Sequence, residues 1–113
     1  MTPREMANQI MSILENKNAT SILGLDVAHL TSITEYFVIC NGKNTIQVRT
    51  LAEEVEEKME EMGVEARRRE GYHDSRWVVL DYGDVVVHVF HEQEREFYNI
   101  ERLWMDGSNT IKA

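Results

Sequence analysis

The chain predicts an α/β fold of the α+β kind: a single domain with a mixed sheet of about five strands and helices packed on it. Three observations lead there. Short β-branched runs alternate with amphipathic helical stretches. A long helix lies between two strand runs, as a crossover joining parallel neighbours would. Trp77 to His91 reads as two strands folded back on each other at Gly83-Asp84, which adds an antiparallel pair.

Each element has a local reason. Thr2-Pro3-Arg4-Glu5 is a capping box with proline at the first helical position. Met6, Ile10, Ile13 and Leu14 follow at helical spacing, so residues 3–17 form an amphipathic helix that ends at Asn16 to Asn18. Residues 21–27, with Ile22, Leu23, Leu25 and Val27, read as a strand. A polar connection leads to a second strand over 36–40, closed by Asn41-Gly42. Asn44 or Thr45 caps the next helix, whose apolar side carries Ile46, Val48, Leu51, Ala52, Val55, Met59 and Met62. Gly63 sits where that helix should stop. Val64 to Ala66 begins a short strand that runs into Arg67-Arg68-Arg69. The hairpin follows, then a helix over about 92–98 that continues as a turn to Trp104. The domain spans 1–105, and the polar tail 106–113 is expected to fray.

With Gly83 and Asp84 as turn residues, Trp77 pairs with Phe90, Val79 with His88 and Asp81 with Val86. Alternation sends all six to one sheet face. The other face carries Val78, Leu80, Tyr82, Val85, Val87 and Val89, a plain core set. The mixed face has two readings. Helices cover it and satisfy Asp81 and His88 locally, or it stays open and receives a partner.

Bulk properties narrow the function. The 113 residues, 42% hydrophobic and 28% charged, suit one soluble globular domain that needs no staples. The lone cysteine, Cys40, lies in an apolar run and reads as a small buried hydrophobe. No apolar run is long enough for a membrane span, and the first residues lack a secretion signal, so a cytoplasmic location is expected. A formal net charge of −8 argues against direct capture of nucleic acid and favours a basic protein partner.

Chemical motifs are sparse. Asp81 and Asp84 straddle a turn and diverge, unlike carboxylates that converge on a metal ion. His29, His73, His88 and His91 share no ligand spacing. No nucleophile signature accompanies Cys40 or the serines. The Asn41-Gly42-Lys43-Asn44-Thr45 junction could seat a phosphate at a helix start but lacks a full phosphate-loop spacing. Arg67-Arg68-Arg69 could touch RNA phosphates, or could protect a solvated edge strand. The glutamates from Glu53 to Glu61 read as a solvated helix face, or as a repulsive or attractive rim around a binding patch. Tyr98 and Trp104, in an aromatic-rich terminal segment, join the interface set wherever they stay exposed.

The stretches Ser32-Ile33-Thr34-Glu35-Tyr36-Phe37-Val38-Ile39-Cys40, Arg69-Glu70-Gly71, Trp77 with Leu80-Asp81-Tyr82-Gly83-Asp84-Val85-Val86-Val87-His88-Val89-Phe90, and Glu96-Phe97-Tyr98 with Leu103-Trp104 resemble the bacterial ribosomal silencing factor family, also called Iojap-like. The resemblance runs from the first helix to Trp104. It implies a nucleotidyltransferase-like fold without the catalytic acids. It also implies a partner, the large-subunit ribosomal protein numbered fourteen. Family members bind it where the small subunit docks, which keeps the subunits apart and lowers translation when nutrients are short. Relatives serve chloroplasts and mitochondria; this chain carries no transit peptide, so the bacterial form is expected.

The expectation is therefore a translational repressor, not an enzyme, with no cofactor, no metal and no catalytic residue. Its partner-binding residues are Trp77, Val79, Asp81, His88, Phe90, Tyr98 and Trp104. It should bind the ribosome with little or no direct nucleic-acid contact, and the free protein could pair with itself. The competing readings are a nucleotidyltransferase-related enzyme using the Gly42 junction, and a generic dimerising module.

Overall fold

A computed structural model describes residues 1–112. The elements are α1 (Pro3–Asn16), β1 (Thr20–Asp26), β2 (Tyr36–Gly42), α2 (Thr45–Glu61), β3 (Arg68–Glu70), β4 (Trp77–Asp81), β5 (Val85–His91), α3 (Glu92–Tyr98), α4 (Glu101–Trp104) and β6 (Thr110–Ile111). One mixed sheet has the order β3-β4-β5-β2-β1-β6. β2 and β5 run parallel, and the other pairs are antiparallel.

Local chemistry sets the helix ends. Thr2 accepts from the Glu5 N–H, and Glu5 reaches back to the Thr2 N–H, closing the capping box at the start of α1. Asn44 caps α2 by accepting from the Gln47 N–H at 2.8 Å. Met62 is the C-cap of α2, and Gly63 follows it.

α1 and α2 cover one sheet face. Their Ile10, Leu14, Leu51, Val55 and Met59 bury against Val38, Cys40, Val78, Leu80, Tyr82, Val85, Val87 and Val89. This is the hairpin face that the sequence assigns to the core. Burial also pushes the Cys40 thiol up to about 12, so the sulfur stays protonated and packs as a small apolar group.

The hairpin register is the expected one, with Trp77 opposite Phe90, Val79 opposite His88 and Asp81 opposite Val86. Gly83 has φ +86°, the left-handed value that a two-residue hairpin needs at its first turn position.

Three features differ from the sequence reading. The short strand before the hairpin is Arg68–Glu70; Val64 and Ala66 instead form a connection that packs against the core. The sheet has six strands because β6 adds to β1. The tail expected to fray is tied down over its described residues. Asn109 is buried and its side-chain amide donates to the carbonyls of Asp26 and Trp104 at 2.9 and 2.7 Å. The Asp26 N–H returns to the Asn109 carbonyl at 2.8 Å. The segment is polar and mostly exposed, and the bonds of Asn109 and Asp106 are what hold it to the domain. Among the described residues no helix is long and apolar enough to cross a membrane.

Candidate functional site

The second sheet face is covered over only part of its width. Behind β5 the chain turns into α3, passes Asn99 in a left-handed conformation, and enters α4. Ile100 and Trp104 then pack on the cluster of Leu25, Val27, Ile39 and Phe90. Arg95 anchors this return. Its guanidinium donates to Glu101 Oε2 at 2.8 Å, to Asn41 Oδ1 at 3.1 Å and to the Ser21 carbonyl. A second tether joins His29 Nε2 to Asp106 Oδ2 at 2.6 Å.

What remains accessible is a strip on β4, β5 and β2. Trp77, Val79, Asp81, Val86 and Phe37 are all half-buried there, with Trp104 half-buried at the edge. Val86 lies on this face by the hairpin pairing with Asp81, as the sequence places it, though it is not among the expected contact residues. Phe37 is the addition, because the parallel β2–β5 register places it beside Val86 and Ile39 beside His88. No local pattern carries that register.

Within the strip the aromatic groups form a connected array. Trp77 stacks on Phe90, with ring centroids 4.8 Å apart, and Tyr98 lies against the indole at 4.9 Å. Phe37 meets Trp104 and His88 edge-on, at 5.1 and 5.2 Å. Tyr98 is about half exposed, and its neighbour Phe97 is 80% exposed.

Two of the expected contact residues lie deeper than the rest. Phe90 is fully buried beneath Trp77, and His88 is buried between Trp77 and Phe37. Both therefore lie beneath the face: the returning C-terminal segment and the Trp77 indole close over Phe90, and Trp77 and Phe37 flank His88. His88 Nδ1 accepts the Trp77 Nε1–H at 3.1 Å. Burial in this apolar setting pushes the His88 pKa down to about 4. Asp81 is half-buried, and its Oδ1 accepts the Gly83 N–H at 2.7 Å. It therefore braces the hairpin turn while its other oxygen remains available. Asp81 and His88 do not bond to each other.

The remaining motifs sort themselves by strand parity. Arg68 lies opposite Asp81 and Arg69 opposite Leu80, so consecutive arginines point to opposite faces. Arg69 pairs with Glu56 of α2, which also accepts the Tyr72 hydroxyl. Glu53, Glu57, Glu60 and Glu61 stay exposed.

The Gly42 junction uses its own side chains. The Lys43 N–H donates to Gln47 Oε1 at 2.6 Å, and the Gln47 N–H donates to Asn44. Amides that a phosphate would need are thus engaged within the loop. Among the described residues no group of His, Cys, Asp and Glu converges as a metal site requires.

Comparison with known proteins adds an independent finding. The family model described as "Ribosomal silencing factor during starvation" matches residues 1–113. A relative from Halalkalibacterium halodurans, named "Ribosomal silencing factor RsfS", is 40% identical over 107 residues, 95% of this chain and 92% of its own length. A Bacillus subtilis protein of the same name is 44% identical over 93 residues, 82% of this chain and 79% of its own. A crystal structure of a Chromobacterium violaceum protein superposes with a TM-score of 0.90 at 35% identity, covering 100% of this chain and 96% of that one.

Proposed function

The chain belongs to the ribosomal silencing factor family, and we propose from this premise that it is a translational repressor working by steric exclusion. The strip around Trp77 docks on the large ribosomal subunit through the ribosomal protein numbered fourteen. The bound domain then overlaps the place of the incoming small subunit. No bond is made or broken. Trp77, with Val79, Val86 and Phe37, supplies apolar area, and Asp81 faces a Lys or Arg of the basic partner. Tyr98 and Trp104 extend the contact at its edge, while His88 and Phe90 hold Trp77 in place.

The observation that carries this reading is the incomplete cover of the second sheet face. A domain whose C-terminal segment folds back over its sheet still leaves the Trp77 indole and the Asp81 carboxylate half-exposed at the two ends of β4, on one face with Val79 between them. Aromatic groups flanked by charge are the composition of protein interfaces. The excess negative charge speeds encounter with a cationic surface. An interface of about 1,200–2,000 Å² in total would suffice. The work takes place in the cytoplasm, and no cofactor enters it.

Sedimentation tests the proposal directly. Added to separated subunits, the protein should travel with the large subunit and reduce the amount of full ribosomes. Normal subunit joining with the protein bound elsewhere would reject it. The same surface could pair two free copies, in which case light scattering should find a dimer that the ribosomal protein dissociates.

A further inference from the structure

We propose that the Nε2–H of His88 is a reserved donor for a carbonyl or carboxylate oxygen of the docking protein, so that Trp77, His88 and that oxygen form one directed hydrogen-bond chain. The inference rests on the docking reading above and specifies its polar recognition point.

The tautomer follows from the contacts. His88 Nδ1 accepts the indole N–H of Trp77 at 3.1 Å, so Nδ1 carries no proton. Burial keeps the ring neutral at neutral pH. The single ring proton must then sit on Nε2. That nitrogen is buried and has no hydrogen-bond partner among the described residues. Its neighbours cannot supply one through their side chains: Val79 lies opposite on β4, Ile39 alongside on β2, and Phe37 stands edge-on to the ring.

Buried donors are nearly always paired in native proteins, so an orphan requires a reason. Among the described residues two other buried side-chain atoms lack partners, Thr34 Oγ1 and Glu101 Oε1, and they belong to the loop before β2 and to α4. Only the His88 atom lies at the centre of the half-open strip. Phe37, itself half-buried, is the side chain that yields to admit an acceptor. Donation from Trp77 into Nδ1 polarises the ring and strengthens Nε2–H as a donor. The arrangement also discriminates. A partner presenting an N–H at this point would leave two donors facing each other and would be rejected.

The test uses the isotope-labelled full chain and the purified large-subunit ribosomal protein numbered fourteen. On addition of the partner, the His88 Nε2–H resonance should move downfield together with the Trp77 indole resonance. His88→Leu should bind at least about tenfold more weakly, the effect of stranding one buried hydrogen-bond partner. His88→Gln, which restores a donor and an acceptor, should recover much of that loss. If Trp77 resonances shift while Nε2–H stays put and His88→Leu binds like the parent, the docking face stands and the reserved donor is wrong. If no resonance on the strip responds, the docking reading itself fails. Should His88→Leu not fold, the resonance of the unsubstituted protein decides alone.

Discussion

Phe90 lies under Trp77 with its ring 24° from parallel and the centroids 4.8 Å apart. The two are cross-strand partners in β4 and β5, yet only the indole reaches solvent. In the docking proposal, adjacent members of one aromatic stack therefore serve different ends: Trp77 meets the partner, and Phe90 supports it.

This separates binding from stability. Trp77→Ala should weaken docking on the ribosomal protein by about 2 kcal/mol or more, as loss of a central anchor does. Phe90→Ala should instead lower unfolding free energy by about 3–5 kcal/mol through the cavity it leaves. Titration calorimetry and urea unfolding on both variants check the division. Equal affinity for Trp77→Ala and the parent would remove Trp77 from the interface.

The depressed His88 pKa gives a pH dependence with a definite sign. In the unfolded chain the imidazole titrates near 6.5, and in the folded protein near 4. Between those values the unfolded state binds a proton that the folded state refuses. Stability from this group is complete above about pH 6.5 and is lost as pH falls toward 4, by about 3 kcal/mol. Urea midpoints across that range should fall more steeply for the parent than for His88→Leu. Parallel curves would contradict it.

Asp81 combines a turn contact with a free charge, and one substitution resolves them. Asp81→Asn keeps an oxygen for the Gly83 N–H, so stability should change by less than about 0.5 kcal/mol. Affinity should drop, and its salt dependence should flatten, because the attraction to a cationic partner is gone. Surface plasmon resonance at several salt concentrations makes the measurement. An unaltered salt slope would assign Asp81 to the turn alone.

Gly71 bears on the same strip from behind. It adopts φ +93°, and a Cβ there would stand 1.9 Å from the Trp77 carbonyl oxygen. Gly71→Ala should cost roughly 2–4 kcal/mol of stability and displace the start of β4. Thermal melting should register the first effect and a weakened Trp77 contact the second.

The hairpin was legible in the sequence because its two strands are joined by a two-residue turn. That turn fixes the register, and the register fixes which side chains share a face. Trp77, Val79 and Asp81 could be grouped with His88 and Phe90 on that basis, and Val78, Leu80 and Val87 given to the core. The helix limits were readable for a similar reason, since Thr2, Glu5 and Asn44 act within one turn of their own positions. Val86 follows from the same hairpin pairing, but Phe37 could not be added to the strip, because the parallel β2–β5 alignment is made across the whole of α2.

Side-chain direction is thus a local property, and the sequence alone determined it here, along with the core face and the order of the elements up to α3; β6 was not legible. Cover is a different matter. Phe90 is buried because the C-terminal segment returns across the sheet, held where Arg95 meets Asn41 and Asn109 meets Asp26, and His88 is buried between Trp77 and Phe37, against which Trp104 of that segment packs. Those contacts join residues 54 and 83 positions apart. No periodicity records them, because each depends on where the finished sheet places its partner. Only the tertiary structure could therefore decide which residues of the hairpin face water and which lie beneath it.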